Sequence, residues 1–180
     1  MHYIIFDLEA TCWNGNPMGR QQETIEIGAV KLDEFGQEIG MFNKFIKPMI
    51  HPNLSVFCSE LTSIDQKDVE NADTFEMVIE EYLDWINPID HNYLLCSWGD
   101  FDKKQLIRDC QYHDLDTEWL NSHINLKRQY QEIHRLPKAR GLKSTVIKEG
   151  FEFEGIHHRG IYDAINLAQI FVKYLDSWRY

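Results

Sequence analysis

The chain has 180 residues, 43% apolar and 13% aromatic, with a net charge of −11; it can bury one substantial core, and it lacks the clustered Lys and Arg of a protein that coats nucleic acid over a long footprint. A small site working through metal ions stays compatible with that balance. Cys12, Cys58, Cys96 and Cys110 lie far apart without C-x-x-C pairing, no basic and apolar leader opens the chain, and no apolar run reaches spanning length, so the expectation is a cytoplasmic protein with reduced thiols and no membrane contact.

The first predicted strand is Tyr3 to Phe6, β-branched and aromatic, running into Asp7-Leu8-Glu9-Ala10-Thr11. Residues two apart on a strand point the same way, so Asp7 and Glu9 project together from its C-terminal end, where ligand sites of open α/β sheets lie. Two acids so close repel unless a cation sits between them, and oxygen donors suit a hard divalent ion. A lone D-x-E is more often a turn-capping Asp and a solvated Glu. Cys12 to Gln22, with Asn14-Gly15-Asn16-Pro17, has the composition of a loop bordering that end.

Thr24 to Leu32 and Glu38 to Lys47 are further strands joined by a glycine-containing hairpin connection, and Gly28 marks a bulge or a close backbone approach. From Lys47-Pro48 to Ser59 the pattern is irregular. Ser63 or Asp65 then caps a short helix near Gln66 to Glu70, and Asp73 or Thr74 caps a longer one through Trp85. From Glu60 to Asp90, ten acids stand against Lys67 alone, a solvated outer face.

Tyr93 to Trp98 is the fourth strand; it ends in Gly99-Asp100-Phe101-Asp102, where a helix begins with Leu106, Ile107 and Cys110 inward. Ser122 to Leu126 reads as a short fifth strand, followed by helices near Lys127 to Arg135 and Leu142 to Glu149. Seven Lys or Arg stand against Glu132 alone from Lys127 to Lys148, a positive segment in an acidic protein that could steer a polyanion. The last helix is expected from Gly160 to Trp178, with Asp163 in its first turn and His158 five residues earlier. No repeat or linker divides the chain, so one domain spans 1–180.

Taken together, D-x-E on the first strand, Asp102 after the fourth and H-x4-D entering the last helix form a constellation far more specific than its parts. It resembles the DEDD-type 3′–5′ exonucleases of the histidine subclass, on an α/β ribonuclease H-like fold with a mixed five-stranded sheet flanked by helices. Within that group it is similar to the Eri-type exonucleases, which include the histone messenger RNA 3′ exonuclease and bacterial relatives. The likeness is carried by Phe6 to Trp13, Ile25 to Gly28, Phe45 to Pro48, Phe57 to Ile64, Ala72 to Phe75, Trp98 to Asp102 and His158 to Asp163, and so spans nearly the whole chain.

The resemblance implies that Asp7, Glu9, Asp102 and Asp163 bind two divalent ions, Mg²⁺ or Mn²⁺, and that His158 is the general base of phosphodiester hydrolysis at a nucleic-acid 3′ end, releasing nucleoside 5′-monophosphates. RNA is favoured, with single-stranded DNA the alternative; a DNA-trimming nuclease and a catalytically idle nucleic-acid-binding regulator are the competing readings. It also places Ala10 and Thr11 beside the substrate through their backbone, Leu61 and Thr62 by the terminal base, and Phe101, where relatives commonly carry Trp, near its sugar. Asp102 rather than Asp100 fits the family spacing, which leaves Asp100 as the helix cap. Asn166 either orients a ligand or faces solvent. Neighbouring residues in an extended approach to a helix point opposite ways, so His157 is expected to turn away from the carboxylates.

Overall fold

The computed structural model describes residues 1–15, 19–87 and 92–180; the part of the predicted loop at Asn16 and Pro17 and the acidic run's end at Asp90 lie outside them. Strand β1 (His2–Ala10) is central in a five-stranded sheet of order β3-β2-β1-β4-β5, with β2 at Thr24–Leu32, β3 at Glu38–Phe45, β4 at Tyr93–Ser97 and β5 at His123–Asn125. The first three strands form an antiparallel meander, whereas β4 and β5 run parallel to β1. The sheet is therefore mixed.

The alternation along β1 divides the core. Ile4, Phe6 and Leu8 pack under α3 (Phe75–Ile86) and α4 (Phe101–Tyr112), meeting Val78, Tyr82, Leu106 and Cys110. Tyr3 and Ile5 face α5 (Leu126–Ile133), α6 (Leu142–Lys148) and α7 (Gly160–Lys173), meeting Tyr130, Val146, Leu167 and Phe171. Each of these fully buried side chains contributes roughly 1.5–3 kcal/mol relative to exposure. A buried network ties α4 to β2: Asp109 accepts from the backbone N–H and hydroxyl of Thr24 at 3.0 and 2.6 Å.

Two short helices, α1 (Val56–Thr62) and α2 (Gln66–Glu70), close the end of the sheet around Ile25, Cys58, Ile64 and Val69. The sequence pattern missed α1. Its seven residues include Val, Phe, Cys and Ser, weak helix formers, and what starts it is the Ser55 hydroxyl accepting from the Cys58 N–H at 3.0 Å. The final helix is also shorter than expected: α7 ends at Lys173, and Leu175–Ser177 tightens into a 3-10 turn.

Candidate active site

Asp7 and Glu9 share the parity of Tyr3 and Ile5, so they point toward α7, and one carboxylate oxygen from each of Asp7, Glu9 and Asp163 lies within 4.8 Å of the others. Two glycines permit this approach. Gly28 sits opposite Asp7 in the β1–β2 ladder, and a Cβ there would lie 2.0 Å from the Ile161 nitrogen and 2.1 Å from the Gly160 carbonyl carbon. A Cβ on Gly160 would come 3.0 Å from the Asp7 carbonyl oxygen and 3.1 Å from the Gly28 nitrogen. The start of α7 thus rests directly on the backbone of β1 and β2, which brings Asp163 down to the strand carboxylates. Of the two readings open for Gly28, close approach is the one realised.

The carboxylates perturb one another. Asp7 keeps a partly open edge, yet burial of its carboxyl, followed by the charges of Asp102, Asp163, Glu9 and Glu26, raises its pKa well above the usual range. Glu9 is pushed up to about 9 by burial and then by Asp163 and Glu26. Asp102 rises to about 6, burial outweighing the backbone N–H groups that favour its ionised form. Crowded oxygen donors of this kind fit hard divalent cations, which would restore all of them to the charged state.

Glu26 is the residue that sequence reasoning passed over. It is fully buried, opposite Glu9 in the ladder, and accepts from Arg159 Nε and Nη2 at 3.1 Å each and from the Gly160 N–H at 2.9 Å. Arg159 also lies over the Phe45 ring at 4.9 Å. This clamp fixes the residue between His158 and α7 to the sheet. The available signal was an acid set between Ile25 and the run Ile27-Gly28-Ala29-Val30, where a buried charge demands a partner.

Asp102 is buried in the first turn of α4 and lies outside the Asp7, Glu9 and Asp163 group; its Oδ1 accepts from the Leu8 N–H at 3.3 Å. Asp100 holds the cap position but makes no side-chain cap bond: its carboxylate pairs with Arg128 at 3.2 Å and is held below the usual range mainly by Asn125. A competing cation wins over the helix N–H groups there.

Leu61 and Phe101 are exposed apolar side chains, open to a ligand. Thr62 is fully buried at the end of α1, its hydroxyl donating to the Cys58 carbonyl at 2.9 Å and accepting from the Ile64 N–H at 3.2 Å. Thr11 is equally occupied: its N–H donates to the Glu23 carbonyl at 2.8 Å, its hydroxyl accepts from the Glu23 N–H at 2.9 Å, and its carbonyl accepts from Gln22 at 3.0 Å. Ala10 follows a register shift after Glu9, and its carbonyl accepts the Cys58 thiol at 3.7 Å. That bulge re-aims the chain at the strand end.

Both histidines face the carboxylates, contrary to the expected alternation. His158 has φ of +65°, a reversal rather than an extended step, and alternation holds only for extended backbone. His157 Nδ1 is consequently 2.9 Å from Asp163 Oδ1, while the His158 N–H donates to Asp163 Oδ2 at 3.2 Å. Burial and then the neighbouring His157 lower the His158 pKa, which favours the neutral ring. Asn166 neither faces solvent nor meets a carboxylate of the site: fully buried, it bonds the backbone of Glu154 in both directions and the Tyr162 carbonyl, fastening the approach segment to α7. From the basic segment, Lys143 is exposed over the Phe153 ring at 5.5 Å, and its charge reaches His158.

Residues 4–171 match the model of the family described as Exonuclease. The chain belongs to the Exonuclease family. The human protein 3′-5′ exoribonuclease 1 is 33% identical over 98% of this chain and 53% of its own length; the chain thus spans about half the length of the curated relatives it matches first. Among solved structures, the nuclease domain of 3′hExo, a DEDDh family member bound to rAMP, superposes with a TM-score of 0.90 at 32% identity, over 97% of this chain and 92% of that one. A 3′-exonuclease structure addressing recognition of the histone mRNA stem-loop gives 0.90 at 31% identity, covering 97% and 81%. The mixed five-stranded sheet and its flanking helices are the ribonuclease H-like fold of these DEDDh exonucleases, a family that depends on divalent metal.

Proposed function

We propose that this chain is a metal-dependent 3′–5′ exonuclease, with RNA the favoured substrate, releasing nucleoside 5′-monophosphates. The observation that carries the reading is the convergence of Asp7, Glu9 and Asp163 within 4.8 Å, with His158 grouped around the same Asp163. Asp7, Glu9, Asp102 and Asp163 would hold two divalent ions, Mg²⁺ or Mn²⁺. When bound, the ions supply Lewis-acid activation and neutralise charge at the scissile phosphate.

The chain's own residues supply the rest. His158 accepts the proton of the attacking water, a role that its lowered pKa favours. The Glu26–Arg159 clamp holds that histidine's loop to the sheet. Leu61 and Phe101 offer exposed apolar surface to an unpaired terminal nucleotide without reading its sequence, and the exposed Lys138, Arg140 and Lys143 give an acidic protein a positive approach for the strand. The 31–33% identity to proteins named or titled as exoribonuclease and histone mRNA 3′-exonuclease supports RNA over DNA.

Incubation with 5′-labelled RNA and DNA of matched sequence, with Mg²⁺ or Mn²⁺ and then with EDTA, tests the reading. A ladder shortening from the 3′ end, faster on RNA and stopped by EDTA, is expected. Intact RNA and DNA under every metal condition would overturn it.

A further inference from the structure

Two donor groups of opposite chemical hardness share a single carboxylate. Asp7, Glu9 and Asp163 offer oxygen only, whereas His157, His158 and Asp163 offer two imidazole nitrogens and one oxygen, again all within 4.8 Å of one another. Hydrolysis as proposed uses His158 and Asp163 and leaves His157 without a task. Yet the His157 ring is stacked on His158 with centroids 3.9 Å apart, and its Nδ1 is 2.9 Å from Asp163 Oδ1.

Imidazole donors favour zinc and its neighbours over magnesium. Three protein ligands of His and carboxylate type with a fourth position open to solvent are a common composition for zinc. His157 and His158 are both partly exposed, so an ion can reach them, and a bound ion would replace the proton that now links His157 to Asp163. Zinc bonds of about 2.0–2.2 Å place donors some 3.4 Å apart in a tetrahedron, so the 2.9 Å His157–Asp163 pair would open slightly and the two stacked rings would turn apart for their in-plane lone pairs to meet at one ion. Arg159, the nearest strong cation in sequence, is turned away onto Glu26. Lys143 opposes a cation here, and the Asp163 carboxylate within the group offsets it.

We propose that His157, His158 and Asp163 form a second, overlapping site for a borderline transition-metal ion, Zn²⁺ being the probe, and that filling it inhibits the enzyme by taking His158 and Asp163 out of the hydrolytic set. The inhibitory consequence rests on the exonuclease reading; the binding itself does not.

Calorimetric titration of the metal-free protein with Zn²⁺ and, separately, with Mg²⁺ tests this in the parent, His157→Ala and Asp7→Asn. Zinc affinity should fall at least about tenfold in His157→Ala and hold in Asp7→Asn, with Mg²⁺ showing the reverse ranking. Zinc, but not Mg²⁺, should move the ¹⁵N resonances of both rings. With Mg²⁺ present, zinc should stop oligonucleotide hydrolysis, and His157→Ala should need at least about tenfold more of it. His157→Gln, which keeps the hydrogen bond to Asp163 but not the imidazole donor, should match His157→Ala, separating ligand loss from misfolding. Absence of zinc binding would overturn the proposal. So would equal affinity in His157→Ala, or binding that leaves both rings unmoved. A protein that binds zinc this way but never hydrolyses RNA or DNA would overturn the exonuclease reading and leave the site standing.

Discussion

The α-carbon hydrogen of Gly28 faces the backbone of Ile161 so closely that a methyl group in its place would lie 2.0 Å from the Ile161 nitrogen. The obstacle is backbone on both sides, which no rotamer change relieves, and overpacking of this kind costs about 1–3 kcal/mol or more. Gly28→Ala should therefore lower the melting temperature and, by lifting the start of α7, separate Asp163 from Asp7 and weaken Mg²⁺ binding. A variant with parental stability and metal affinity would show that α7 does not rest on β2 as described.

Asp7→Asn should nearly abolish hydrolysis while raising the melting temperature of the protein in EDTA. The amide removes one of several mutually repelling carboxylates but cannot neutralise a divalent ion. Turnover within about tenfold of the parent, a loss of only ~1.4 kcal/mol in transition-state stabilisation, would remove Asp7 from the ion site.

Stability in EDTA should fall as pH rises. Glu9 ionises near 4.5 unfolded and is pushed up to about 9 in the fold, so between those values the native state binds more protons than the unfolded one, and stability declines with pH. It is highest below the unfolded value and is lost as pH climbs toward the folded one. Asp7 and Asp102 shift the same way. Saturating Mg²⁺ should flatten the slope, because bound cations favour the ionised carboxylates. Melting curves from pH 5 to 9 with and without Mg²⁺ check this, and identical slopes would contradict it.

His158→Ala should reduce kcat by about 10²–10⁴-fold, the usual contribution of a positioned base, and abolish the acidic limb of the pH profile. Because His158 is lowered from its ordinary value of 6.5, the parent's limb should fall below that pH. His157→Ala should keep a limb. A limb retained in His158→Ala would assign the proton to another group.

Arg159→Met should destabilise the protein by about 3–5 kcal/mol, since it strands the Glu26 charge in the interior. Adding Glu26→Gln should recover part of that loss: the neutral amide still offers an acceptor to the Gly160 N–H. Chemical denaturation of the two single variants and the double variant gives the coupling energy; strictly additive effects would mean that the clamp is not a unit.

The sequence by itself determined the strands and most of the helices, and it singled out the candidate acids and histidine, because alternation along β1, the run from Tyr93 and the H-x4-D spacing are local properties of the chain. Only the tertiary structure decided what those residues face. His157 joined His158 because a positive φ broke the alternation that a linear reading assumes. Thr11 and Thr62 were spent on Glu23, Cys58 and Ile64, partners brought close by strand pairing and a short helix whose start is a single serine hydroxyl. Asn166 went to Glu154, and Glu26 to an arginine 133 positions away. Hydrogen bonds and ion pairs between distant segments depend on packing geometry, and packing geometry is not periodic in sequence.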